Sequence, residues 1–292
     1  MAPDMFNYEQ AFARNLGLVT PEEQAALRRA TIAIPGLGGV GGAHLLTLTR
    51  LGIGRFIIAD GDHFELANLN RQVGATIQTL GKPKTEVMAE LAKAINPELS
   101  IRAFPEDIQS RNIDEFLNGC DVVVDSLDFF RIAARRLLFQ RARARGITVI
   151  TCGPMGWSVA LLTFTPTGPS FDEFFTITDQ MSEREQLARF AVGLAPAGLH
   201  LPYLDKTRVS LKEHRGPSSI IAVNLCAAVA ATEVLNLLLK RRQPWAVPRY
   251  AQFDPYRLRY RKGTLWLGNR HPWQQFKLWY LKRQLRHDFS VS

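Results

Sequence analysis

Residues 36 to 62, GLGGVGGAHLLTLTRLGIGRFIIADGD, put a glycine-rich turn after one apolar stretch and an acidic residue at the end of the next. Gly36-Leu37-Gly38-Gly39-Val40-Gly41 satisfies G-x-G-x-x-G. Between a strand and a helix, that spacing suits a nucleotide. Glycine allows the tight turn and the close backbone approach, and the helix N-terminus offers free N–H groups and partial positive charge to phosphate. Asp60, closing the second strand, is placed to take ribose hydroxyls. Nicotinamide-dependent enzymes share the pattern, so the downstream residues must separate a hydride carrier from a nucleotide that is consumed.

Asp60-Gly61-Asp62 is followed by Asn68-Leu69-Asn70-Arg71-Gln72, Gly81-Lys82-Pro83-Lys84 and, at a later strand end, Asp125-Ser126-Leu127-Asp128. A dehydrogenase has no need of Arg and Lys converging near the phosphates. A nucleotide-consuming enzyme does, because charge builds on the attacked phosphorus and on leaving pyrophosphate. It also needs a carboxylate for Mg²⁺, which binds one or two carboxylates together with phosphates.

In this order and spacing, G-x-G-G-x-G, D-x-D, N-x-N-R-Q, G-x-x-K and D-x-x-D resemble the adenylation domain of the ThiF/MoeB/HesA family, the E1-like relatives of ubiquitin-activating enzymes. The resemblance runs from about residue 8 to about 240. It implies an ATP-dependent adenylyltransferase that joins a carboxylate, such as a protein or peptide C-terminus, to AMP and releases pyrophosphate. It assigns Gly36, Gly38, Gly39, Gly41, Asp60, Asp62, Asn68 and Gln72 to the ATP pocket, Arg71 and Lys84 to the phosphates, and Asp128 to Mg²⁺. It also implies a homodimer in which an N-terminal Arg, here Arg14, reaches the partner's γ-phosphate.

The chain departs from the family in three ways. It lacks the paired C-x-x-C motifs, so no zinc is expected, and residues 168 to 217 contain no Cys for thioester or persulfide chemistry. Asp128 is followed by Phe129 where many members carry Asn. In that segment, Phe171-Asp172-Glu173-Phe174-Phe175, His200 and His214 read either as a lid or channel that orients an attacking amine, or as aromatic packing with solvated charge. The alternative substrate is a tRNA carrying threonylcarbamoyladenosine, whose dehydratase belongs to the same superfamily. Its D-x-x-R resembles Asp128 to Arg131. An alternative of another class is a non-catalytic nucleotide-binding partner subunit. Retention of Arg71, Lys84 and Asp128 counts against it.

These residues need elements to position them. Thr20-Pro21-Glu22-Glu23 reads as a capping box opening a helix that ends near Ala30. TIAIP reads as a short buried strand and RFIIA, IRAF, DVVVD and ITVIT as further strands, alternating with helices over 44–51, 84–95 and 131–145. Alternation of this kind means right-handed βαβ units, hence a Rossmann-like, doubly wound α/β fold with a mostly parallel sheet. A strand at SVALLTFTP, a helix in MSEREQLARFAVG and an apolar helix at 218–239 follow. Strands around RYAQF, RLRYR and TLWLG and a last helix around WQQFKLWYLKRQL form an added C-terminal β/α segment. The expected organisation is an N-terminal helical arm (1–30), an adenylation domain (31–240) with a crossover or lid at 168–217, and a basic aromatic extension (241–292).

Three scattered cysteines among 292 residues suit a reducing cytoplasm rather than a disulfide framework. The N-terminus shows no signal peptide. The apolar run 220–239 has the length of a membrane span, but Asn224, Glu233 and Asn236 interrupt it, and it reads as a buried helix. The net charge is +9 overall, yet Lys240 to Ser292 alone carries 13 Lys/Arg against 2 acidic residues. Four of the five Trp lie there too. An acidic partner is expected for such a surface, which includes Lys282, Arg283 and Arg286. Helical spacing predicts that Trp273, Phe276 and Tyr280 pack inward and that Lys277 faces out.

Overall fold

The computed structural model describes residues 6–284 apart from 211, 212 and 215. Five strands run parallel: β1 (Thr31–Pro35), β2 (Arg55–Ala59), β3 (Ser100–Phe104), β4 (Val122–Asp125) and β5 (Thr148–Met155). Three more continue the sheet antiparallel: β6 (Ser158–Phe164), β7 (Arg249–Asp254) and β8 (Arg259–Thr264). The spatial order is β3-β2-β1-β4-β5-β6-β7-β8. The chain reverses its direction of winding between β1 and β4, which lie side by side, so the two parallel halves diverge there.

The helices are α1 (Tyr8–Ala11), α2 (Pro21–Arg29), α3 (Gly39–Leu51), α4 (Lys84–Ile95), α5 (Ile113–Phe116), α6 (Ile132–Ala144), α7 (Phe171–Phe175), α8 (Glu183–Leu194), α9 (Ile220–Leu238) and α10 (Pro272–Gln284). Alternate strand residues feed two cores, as the period of two in a strand requires. Ile32, Ile34, Phe56, Ile58, Val122 and Val124 meet Leu45 and Leu48 of α3, Met88 of α4 and Cys226 and Val234 of α9. Ala33, Ile57, Val123 and Val149 face the other way, onto Phe116, Leu138, Phe139 and Phe190. Coverage on both faces is why these strands are continuously apolar.

The capping box forms as expected: the Thr20 hydroxyl accepts from Glu23 N–H, and the Glu23 carboxylate accepts from Thr20 N–H. Helix α9 is long and apolar enough to cross a membrane, with a mean hydropathy of 1.8. In the fold it packs on α3, β5 and β6. Its Glu233 is buried, receives Arg242 and lies 3.4 Å from the Thr163 hydroxyl.

The tail differs from expectation in two respects. RLRYR and TLWLG do not make separate strands; β8 takes residues from both, and the chain turns after Thr264. Helix α10 also presents the opposite face. Gln274 and Leu278 are buried, whereas Trp273, Phe276, Trp279 and Tyr280 are exposed. Polar anchors select this face: Gln274 Nε2 donates to the Val192 carbonyl of α8 at 3.1 Å, and Lys282 bridges to Glu185. The exposed rings lie against one another instead, with Trp273 and Phe276 stacked at 5.2 Å. Arg283 lies over Trp279, and Arg286 lies outside the described residues.

Candidate functional site

A cleft of about 610 Å³ opens at the carboxyl ends of the parallel strands. It sits where β1 and β4 diverge, the place at which open α/β sheets bind ligands. The turn after β1 forms its floor. Gly36 has φ +91°, and a Cβ there would lie 2.6 Å from the Ser126 carbonyl oxygen at the end of β4. Only glycine lets the two strand ends approach so closely. Gly41 works from beneath: it does not line the cleft, and a Cβ on it would meet the Gly36 carbonyl oxygen at 1.9 Å. It seats α3 under the turn rather than touching a ligand. Helix α3 begins at Gly39, within the glycines rather than at His44, and no side chain caps it. Its first N–H groups therefore face the cleft with the positive end of the helix dipole.

Asp60, at the end of β2, is buried, and its carboxylate accepts Leu37 N–H at 2.6 Å and Asp62 N–H at 2.8 Å. It thereby ties the glycine turn to the next strand. Burial raises its pKa, and nearby Lys84 partly counters the rise. Lys84 opens α4 and is itself buried, its ammonium 2.8 Å from the Asp62 carboxylate. A backbone bond from Lys84 N–H to Asp62 carbonyl, at 3.0 Å, fixes the two loops together. An ammonium at a helix start opposes the dipole, so this lysine makes sense beside an anion.

Asn68 accepts Glu65 N–H at 3.0 Å and shapes the loop that carries Arg71. The Arg71 guanidinium donates to the Ala67 carbonyl at 2.8 Å and the Asn70 side chain at 2.9 Å, with no carboxylate partner among the described residues. Most of its donors stay available to the cleft. Gln72 lines the same wall, and its buried Oε1 has no partner among the described residues. Across the cleft, Asp128 is exposed, and one of its oxygens accepts Phe130 N–H at 2.9 Å. The other accepts no bond among the described residues, which suits Mg²⁺ held by one carboxylate and phosphate oxygens.

Gly36, Gly38, Gly39, Asp60, Asp62, Asn68, Arg71, Gln72, Lys84 and Asp128 thus all line one cleft. Arg14 does not. It lies exposed in the N-terminal arm, whose Tyr8 and Asn15 bond to the Gly52 and Leu51 carbonyls at the far end of α3. Thirteen helical residues separate that end from the glycine turn, about 20 Å. Within one chain Arg14 is remote from the cleft.

The sequence reading missed Arg135. Its guanidinium bonds Asp125 at 2.9 Å, both side chains being almost wholly buried, and donates to the Leu127, Asp128 and Phe129 carbonyls. Thr151 adds a bond to Asp125 at 3.0 Å. This clamp holds the loop that presents Asp128. Arg131 instead pairs with Asp107.

Phe171, Phe174 and Phe175 pack with Phe164 and Phe190; Asp172 pairs with Arg136, and Glu173 caps α7. Aromatic packing therefore explains FDEFF. His200 and His214 do line the cleft. Burial lowers the His200 pKa to about 4, while His214 stacks on Phe130 at 4.9 Å. Cys152 also reaches the cleft, but burial raises its pKa, disfavouring the thiolate. Among the described residues no group of three or more His, Cys, Asp or Glu side chains is placed to hold a metal.

The sequence model of the ThiF family matches residues 12–272. A tRNA threonylcarbamoyladenosine dehydratase of Haemophilus influenzae is 40% identical over 151 residues, 51% of this chain and 57% of that protein. A sulfur carrier protein adenylyltransferase of Thermus thermophilus is 38% identical over 112 residues, 38% of this chain and 41% of that protein. The chain thus spans about half the length of these relatives. Among solved structures, E. coli MccB with ATP superposes with a TM-score of 0.66 at 21% identity, covering 88% of this chain and 71% of that one. That likeness concerns the fold.

Proposed function

The chain belongs to the ThiF family, and from that premise we propose that it is an ATP-dependent adenylyltransferase. A carboxylate oxygen attacks the α-phosphorus of ATP, the bond to the β-phosphate oxygen breaks, and acyl-AMP and pyrophosphate form. The observation that carries this reading is the convergence of the uncapped α3 start, Arg71, Lys84 and Asp128 on one cleft. These groups position the triphosphate and stabilise charge, and no side chain need act as nucleophile. Mg²⁺ at Asp128 would neutralise phosphate charge. The open Asp128 oxygen fits that ion.

The substrate we propose is the C-terminal carboxylate of a protein or peptide, in keeping with the sulfur carrier protein named for the Thermus relative. With the cleft's thiol buried, the acyl-AMP passes directly to an acceptor or is itself the product. The second reading, a modified tRNA adenosine bearing a carboxylate, is favoured by the Haemophilus relative and by the basic tail. Product analysis with α-labelled ATP tests the class of reaction. Adenylation puts the label in acyl-AMP, or in AMP once the acyl group is transferred; label appearing in ADP would sink it.

A further inference from the structure

The cleft extends from the glycine turn to α10, and five of its lining residues are cationic: Arg71, Lys84, Arg135, Lys206 and Lys277. Lys84 and Arg135 are matched by Asp62 and Asp125. Lys206 is exposed and meets Tyr280, 3.5 Å from its hydroxyl and 5.1 Å from its ring centroid. Lys277 is different. It stands in the wall that α10 adds, half-buried, donating to the Pro196 carbonyl and, at 2.7 Å, to Gln274 Oε1. An ammonium has three donors. The ammonium also lies 5.8 Å from the centroid of the Trp273 ring, and its charge has no carboxylate among the described residues. Burial alone lowers its pKa, to about 8, with no acidic group opposing. Its neighbour Lys282, by contrast, bridges to Glu185. A cation withdrawn from water without an anion is costly, and the cleft that it lines also carries aliphatic side chains, Leu194, Ala195, Leu201, Leu204 and Leu281, beside the polar His200, Tyr280 and Gln284.

We propose that Lys277 binds the C-terminal carboxylate of the co-substrate, a peptide or protein with an apolar C-terminal segment, where α10 walls the cleft, and so orders it toward the nucleotide seated at the glycine turn. This rests on the adenylation reading and adds a specificity residue to it. The cleft then offers each substrate an anion point without a carboxylate of its own, Arg71 for phosphate and half-buried Lys277 for the second substrate, while Lys206 lies exposed. The aliphatic lining seats the residues beside that carboxylate.

The test is protection of Lys277 in the full chain against trinitrobenzenesulfonate at pH 8, read by peptide mass spectrometry. The probes are a mixture of N-acetylated tetrapeptides with apolar C-terminal residues, the same peptides amidated at the C-terminus, and ATP alone. The free acids slow labelling of Lys277 at least about 5-fold, and the amides and ATP leave it unchanged. Calorimetry supplies the second readout. Lys277→Met weakens binding of the free acids about 10-fold, the scale for one charged hydrogen bond, with ATP affinity constant, and Lys277→Arg recovers part of the loss. Protection by ATP alone would assign the ammonium to phosphate. Equal protection by the amides, or none by the acids, would likewise overturn the assignment. If ATP fails to bind the wild-type chain, the adenylation reading falls by itself, whatever the peptides do at Lys277.

Discussion

Replacing Arg135 by Met should separate the clamp from the ligand site it supports. The substitution keeps length and apolar volume but removes the charge that faces Asp125, whose side chain is 1% exposed. It also strips the Leu127, Asp128 and Phe129 carbonyls of their shared donor. Breaking a buried pair on one side costs about 3–5 kcal/mol, because the remaining charge stays buried. With a urea slope of about 1–3 kcal/mol/M, the unfolding midpoint falls by at least about 1 M. Asp125→Asn, with Arg135 retained, leaves the opposite charge unmatched. The double variant Asp125→Asn/Arg135→Met removes both charges, so it should lose less than the sum of the single losses, by about 2 kcal/mol or more. Urea titration followed by tryptophan fluorescence measures all four proteins. ATP affinity, measured by calorimetry under native conditions, should fall in Arg135→Met because the Asp128 loop is no longer held. A single loss below about 1 kcal/mol, or additive losses, would refute the clamp.

Other perturbations have equally definite outcomes. Gly41→Ala must part α3 from the Gly36 carbonyl by more than 1 Å. It should slow adenylation on the order of 10²-fold, the scale of a comparable misplacement, and an unchanged rate would show the turn to be adaptable. His44 and His200 are held neutral by burial, with pKa values lowered to about 3 and about 4. The unfolded chain binds protons that the folded chain refuses, so their contribution is present above pH 6.5 and is lost as pH falls toward 4 and then 3. His44→Leu should therefore flatten the fall in melting temperature between pH 6.5 and 4; an unchanged slope would remove His44 from that account. We propose the homodimer as the state that lets Arg14 reach a partner's cleft. Light scattering should give twice 32.8 kDa, and a monomer at micromolar concentration would rule out the trans role.

The parallel half of the fold was legible because its signals are local. Continuous apolar strands, helical periodicity and the glycine turn all lie within windows of a few residues. The cleft residues were legible for a related reason: each sits at a strand end or loop that the motif spacing marks. Arg135 was not, because its meaning lies in a partner ten residues earlier and in three carbonyls, and in sequence it looks like the other arginines of the same helix. Lys277 and the aromatic face of α10 were misread because periodicity names a stripe without saying which stripe docks. The docking is decided by Gln274 and Lys277 meeting carbonyls of the Val192–Pro196 stretch, contacts between segments some 80 residues apart. Gly41 was assigned to the ligand by motif, whereas its place is beneath the turn.

ATP–pyrophosphate exchange tests the adenylation reading most directly. The wild-type chain is assayed with Mg²⁺ against a panel of peptides with free C-termini and against threonylcarbamoylated tRNA, beside Arg71→Ala and Lys84→Ala. Exchange that depends on one class of carboxylate and falls at least ~10²-fold in each variant is the predicted result. Exchange that survives the loss of Arg71 and Lys84, or a chain that binds NAD in this cleft and not ATP, would contradict it.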